Sequence, residues 1–164
     1  LSAILHIPAI LARDIDQCCE IQELAHGKTV HSILKRLLVV DHDVLTAKKI
    51  TICVLSAIFA LYERLAEAKQ MIVHRDLHDK NVLYDVHSGI TSIVDFDLAE
   101  KTEYADALME DMCEIIRHLN DRFNDAHSLW IDLNVLCLRT QQSSTTIEKL
   151  IHAFLEMRRV FNAT

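Results

Sequence analysis

Apolar positions along this chain change their period several times, and the changes mark out its elements. Residues 7–12 and 17–24 are short apolar-rich runs that read as strands. A polar connector follows at 25–28, and residues 29–38 carry helical spacing. Asp43 is a good N-cap for a long helix over 44–69, in which Leu45, Ile52, Leu55, Phe59, Tyr62 and Ala66 recur on a helical period. Residues 82–85 and 91–94 are β-branched runs separated by Val86-His87-Ser88-Gly89, the pattern of two strands joined by a tight turn. After a polar stretch at 100–106, helices are expected at 107–119, 129–139 and 146–161, the last capped by Thr145 or Thr146. The prediction is an α+β fold with a mainly helical body.

Composition narrows this picture. With 164 residues, 51% of them apolar, the chain can bury one core. Two glycines and one proline leave few tight turns. The apolar run at 50–61, bracketed by Lys48-Lys49 and Glu63-Arg64, is too short to span a bilayer and reads as a buried helix, so no membrane partner is expected. The five cysteines show no metal spacing and no secretory leader precedes them, which favours reduced thiols in an intracellular protein. His74 and His78 are four residues apart but flank an acid in a loop, so zinc is not expected. The net charge of −7 disfavours nucleic acid and suits a basic partner, with Glu100, Glu103, Asp106, Glu110, Asp111 and Glu114 concentrated in one stretch.

The chemistry is concentrated in Met71-Ile-Val-His-Arg-Asp-Leu-His-Asp-Lys-Asn-Val-Leu-Tyr84 and Ser92-Ile-Val-Asp-Phe-Asp-Leu-Ala99. His-Arg-Asp, four residues, then Asn, with a second Asp after one hairpin, supplies what phosphoryl transfer needs. One carboxylate receives the proton of the attacking hydroxyl, while an amide oxygen and a second carboxylate hold the cations that neutralise the phosphates. Asp76, Asn81 and Asp95 are the candidates for these roles. Each residue alone would read as an ordinary turn or strand-end acid.

These segments resemble the catalytic half of a protein kinase. The resemblance divides the chain into the last N-lobe strands (1–24), a hinge (25–28) and a C-lobe (29–164). It places Gln22 at the gatekeeper position and the backbones of Glu23 and Ala25 against adenine, with Asp76 as catalytic base and Asn81 and Asp95 as ligands of Mg2+ on ATP. Asp111 is similar to the kinase aspartate that holds the catalytic loop from below. As a bare sequence feature it reads equally well as an exposed acid in a helical first turn. His78, where conventional Ser/Thr kinases carry Lys, together with Asn81-Val-Leu, Leu45-Thr-Ala-Lys-Lys-Ile and the 147–161 helix, resembles haspin, an atypical Ser/Thr kinase. That likeness runs from about Glu20 onward and implies a nuclear enzyme that phosphorylates a histone tail.

The departures matter as much. The only glycines are Gly27 and Gly89, so the chain contains no Gly-rich phosphate loop, and the strand Lys with its helix Glu is missing as well. An N-lobe is therefore expected beyond this chain, which alone should bind ATP poorly. The interval from Asp95 to Asp111 is short for a haspin, which puts the acceptor in doubt. Two other readings stand beside the first. One is a small-molecule kinase of the aminoglycoside type, in which Gly or another residue usually stands in place of Arg75. The other is a non-catalytic kinase remnant acting as a binding module.

Overall fold

A computed structural model describes residues 4–14, 19–68, 72–102 and 106–124. The helices expected at 129–139 and 146–161 lie outside the described residues. Three short strands come first, β1 (Ile4–His6), β2 (Ile10–Asp14) and β3 (Cys19–Gln22). They lead through a connector to β4 (Lys28–Thr29) and α1 (Val30–Lys35). Thr29 caps α1 by accepting the Ser32 amide. Instead of ending, the helix widens into a π-helical turn at Arg36–Val40, closed by the Asp41 amide donating to the Arg36 carbonyl.

The long helix α2 (Val44–Glu67) starts as the sequence suggests, with the Thr46 amide donating to Asp43 Oδ1 at 3.0 Å. Its buried stripe runs through Ala47, Ile50, Val54, Ile58 and Tyr62. Leu45, expected on that stripe, is 62% exposed, because the apolar face is set by the phase of Ala47 and Ile50 rather than by the first apolar residue. Helix and hydropathy also extend beyond the run seen in sequence. Val44–Tyr62 has a mean hydropathy of 1.9 over 19 residues and by length and composition could cross a bilayer. Here its stripe forms the centre of a protein core, packed against α1, β1 and β7 and against the last described helix, α3 (Asp106–Asn124).

Between α2 and α3 lie β5 (Ile72–Val73), β6 (Val82–Tyr84), β7 (Ile90–Ile93) and β8 (Glu100–Lys101). The expected hairpin is β6–β7, antiparallel with Val82 opposite Ile93 and Tyr84 opposite Thr91. Asp85 shapes its turn by accepting the His87 amide and the Ser88 hydroxyl, and Gly89 takes a φ of 74°. The sheet order is β1-β7-β6-β4, with β1 parallel to β7 and β4 antiparallel to β6. The first strand thus lies in the sheet of the 82–93 hairpin, and the antiparallel pair β2–β3 stands apart from it. β8, within the stretch read as merely polar, pairs antiparallel with β5. α3 begins near its expected start and runs five residues past its expected end. Leu108, Met112, Ile115, Leu119 and Phe123 all face the core from it.

Candidate active site

The loop between β5 and β6 is held at three levels. From below, Asp111 on α3, only 3% exposed, accepts the His74 amide at 2.5 Å and the Tyr62 hydroxyl at 2.7 Å on Oδ2, and the Arg75 amide at 3.0 Å on Oδ1. The carboxylate is thus a buried support for the loop backbone rather than an exposed helical acid. Burial, with the Asp111 charge beside it, raises the Tyr62 hydroxyl far above its ordinary range, so it stays a donor. Arg75 sits at φ 67°, a left-handed conformation that a non-glycine residue holds at a cost of about 1–3 kcal/mol. Two amides fixed on one buried carboxylate can hold that conformation in place.

From the side, His74 Nε2 donates to the Val94 carbonyl at 2.9 Å, and its ring packs on Phe96 with centroids 4.7 Å apart. The Val94 amide donates to the Asn81 carbonyl at 3.0 Å. Val94 is therefore gripped on both backbone groups, and the next residue, Asp95, leaves it at φ 66°. This delivers Asp95 beside the Asp76–Asn81 loop.

At the top, Asn81 Nδ2 donates both to the Asp76 carbonyl, at 3.0 Å, and to Asp76 Oδ2, at 3.1 Å. The amide nitrogen is used up on Asp76, which turns the amide oxygen of Asn81 away as a spare acceptor. His78 flanks the same carboxylate. The Lys80 amide donates to His78 Nδ1, so the neutral ring carries its proton on Nε2, which faces Asp76 Oδ2 at 3.5 Å. Asp76 Oδ2 is engaged from two sides, leaving Oδ1 for a proton from elsewhere.

The donor set suits Mg2+. The Asp95 carboxylate is exposed and takes no hydrogen bond or ion pair among the described residues, and the Asn81 amide oxygen is left free by the two bonds of its nitrogen to Asp76. No group of three or more His, Cys, Asp or Glu stands together among the described residues. An ion held by one carboxylate, one amide oxygen and nucleotide phosphates is the way Mg2+ is bound in such sites, because it keeps much of its own oxygen shell. At the connector, Glu23 donates its amide to the Ala9 carbonyl, so only its carbonyl is left for a base. Its side chain accepts the Ala9 amide at 3.2 Å and pairs with His6 Nε2 at 3.2 Å, which together hold the acid below its ordinary range. Ala25 uses neither backbone group among the described residues and can meet a flat ligand edge.

The sequence family described as the protein kinase domain matches residues 4–119, well over half of the 164 residues. The chain belongs to the protein kinase family. No curated protein matches it. Protein kinase domains transfer phosphoryl groups with ATP and Mg2+, and the candidates Asp76, Asn81 and Asp95 all lie inside the matched region of this kinase.

Sequence reasoning missed several parts of the kinase site. Tyr62 was placed on the helical stripe with no partner foreseen. Arg75, expected only as part of a motif, donates from Nε to Glu100 at 2.7 Å and from Nη1 to Glu110 at 3.0 Å, while Asp111 is buried and Glu114 pairs with Arg117. The acidic stretch is therefore partly neutralised within the fold and less open to a basic ligand than its sequence suggests. A cavity of about 570 Å³ between α1, the π-helical turn and the hairpin turn, lined by Ile33, Leu37, Ile50 and Tyr84, contains none of the three candidate residues. The residue chemistry, not the hollow, locates the site.

Proposed function

We propose that this chain is the catalytic part of an ATP- and Mg2+-dependent Ser/Thr kinase of the haspin type. The observation that carries the reading is the orientation of Asn81. Its nitrogen grips Asp76 while its oxygen remains for a cation, so one side chain serves base and metal site together. Asp76 Oδ1 accepts the proton as the acceptor hydroxyl oxygen bonds to the γ-phosphorus of ATP and the bond to the β,γ-bridging oxygen breaks, releasing ADP. Asn81 and His78 hold the carboxylate in place through its other oxygen. Mg2+, when bound at Asn81 and Asp95, supplies neutralisation of the phosphate charge. Glu23 and Ala25 offer backbone groups for adenine.

The acceptor reading, a histone tail in the nucleus, rests on His74-Arg-Asp-Leu-His78 with Asn81-Val-Leu and on the net charge of −7. The test uses a form in which a Gly-rich loop and strand Lys precede this chain, assayed with basic and acidic Ser/Thr peptides and with an aminoglycoside. Phosphorylation of the basic peptide, with Asp76→Asn losing about 10²–10⁴-fold in kcat and little nucleotide affinity, is expected. Asp95→Ala should instead weaken Mg2+-dependent nucleotide binding. Turnover of the aminoglycoside alone would replace the acceptor with a small molecule. Equal activity of Asp76→Asn would remove the base.

A further inference from the structure

We propose that Asp79 is a positioning residue for the catalytic loop, locking it to the segment that receives the nucleotide; this rests on the kinase reading above. In sequence Asp79 is one acid in a polar turn. In the fold it is 1% exposed, and Lys80, beside it, is exposed to solvent. An ionised carboxylate so deeply buried is costly unless it is paired and hydrogen-bonded.

Its partners come from two helices distant in sequence. Arg122 on α3 donates from Nε to Oδ2 at 2.6 Å, with Nη2 at 3.5 Å from Oδ1. His31 in the first turn of α1 donates its amide to the Asp79 carbonyl at 2.9 Å, and its Nδ1 lies 3.2 Å from Oδ2. Asp79 is thus bound through both main chain and side chain, at the point midway between Asp76 and Asn81.

The placement has a mechanical meaning. α1 follows, through the two residues of β4, from the connector that bears Glu23 and Ala25, and that connector is pinned to β6 where Gly27 lies against the Tyr84 backbone. The turn at 78–81 closes with the Asn81 amide donating to the His78 carbonyl. Asp79 lies inside that turn, so a shift of its carboxylate moves Asn81 and with it Asp76. Residues 23–31 and 76–81 become one rigid unit, with adenine-facing backbone at one end and the base and metal ligand at the other. Asp79 touches no reacting atom; it acts through Asn81.

The variants are Asp79→Asn, which keeps the shape and the main-chain bond but weakens the hold on Arg122, and His31→Ala, which leaves the Arg122–Asp79 pair intact. Hydrogen exchange is measured on the 164-residue chain, and turnover on the form preceded by an N-lobe. In both variants the Asn81 and Val94 amides should exchange faster while those of Val54 and Leu55 do not. kcat per folded molecule should fall by up to about 100-fold at unchanged KM for ATP, the scale of a misplacement near 1 Å. Unchanged exchange at Asn81, or unchanged kcat, overturns the proposal. So does faster exchange at Val54 and Leu55 in step with Asn81, which would mark a loss of fold rather than of position. A wild type without phosphoryl transfer would defeat the kinase reading instead, and the exchange comparison, which needs no turnover, would still decide whether Asp79 positions the loop.

Discussion

Tyr62 donates its hydroxyl, at 2.7 Å, to the same Asp111 oxygen that receives the His74 amide. A helix–helix contact and the base of the candidate catalytic loop are thus a single hydrogen-bonded unit. Tyr62→Phe removes one donor from a buried carboxylate, and a hydrogen bond to a charged group contributes about 1.5–3 kcal/mol. A loss of that size in urea denaturation is expected. Asp111→Ala should cost more, since the His74 and Arg75 amides are then left unpartnered. A Tyr62→Phe variant as stable as the wild type would show that the hydroxyl contributes nothing net.

Gly27 cannot carry a side chain. A Cβ there would lie 2.6 Å from the Tyr84 carbonyl carbon and oxygen, and the φ of 104° is itself strained for any L residue. Gly27→Ala should destabilise by at least about 1–3 kcal/mol, the strain alone, with the backbone clash added. Gly89→Ala is the control, because its φ of 74° is also left-handed but its nearest neighbour atom lies at 3.9 Å. Thermal melts of the two variants should therefore differ, with Gly27→Ala the lower.

Arg75 ties β8 to α3 through Glu100 and Glu110. Arg75→Ala should free the segment from Ala99 to Thr102, and limited proteolysis there should speed up. Glu100→Gln alone should act in the same direction and more weakly. Paired reversal, Arg75→Glu with Glu100→Arg, should restore part of the protection. An unaltered cleavage rate in Arg75→Ala would mean that the β5–β8 pairing holds without the guanidinium.

Two turn acids contribute to the response to acid, beside Glu23. The Thr46 hydroxyl and amide lower Asp43 below its ordinary 3.8, and the Ser88 hydroxyl and His87 amide do the same for Asp85. Both values are lower folded than unfolded, so their stabilisation is complete above the unfolded value and is lost as pH falls through the folded one. The stabilisation from these two acids should be complete near neutrality and decline below pH 3.8. In Asp43→Asn that decline should be shallower, as read by denaturation at stepped pH.

What sequence could and could not disclose follows from the range of each interaction. The β6–β7 hairpin that Asn81 precedes and Asp95 follows was legible because it is announced by β-branched runs around Gly89, and Asp76, Asn81 and Asp95 could be singled out as candidates because phosphoryl-transfer chemistry demands fixed spacing on either side of such a hairpin. Asp43 was legible because a cap acts on the next turn of its own helix. Asp79 was not, because its meaning comes from His31 and Arg122, 48 and 43 residues away. β8 was hidden for a related reason: two charged residues make a strand here only because β5 offers them a partner. Leu45 misled because an apolar residue at a helix start can lie on either face, and only packing chooses.

The parallel pairing of β1 with β7 joins residues far apart in the chain, His6 meeting Ser92 across 86 positions. β1 is among the earliest of these strands to leave a ribosome, yet its binding edge does not exist until the hairpin after the catalytic loop has been made. Contacts of such long sequence separation close slowly, since the entropy of a large loop must be lost first. During synthesis, then, the β1 strand Ile4–His6 waits without its sheet partner while more than eighty residues are added.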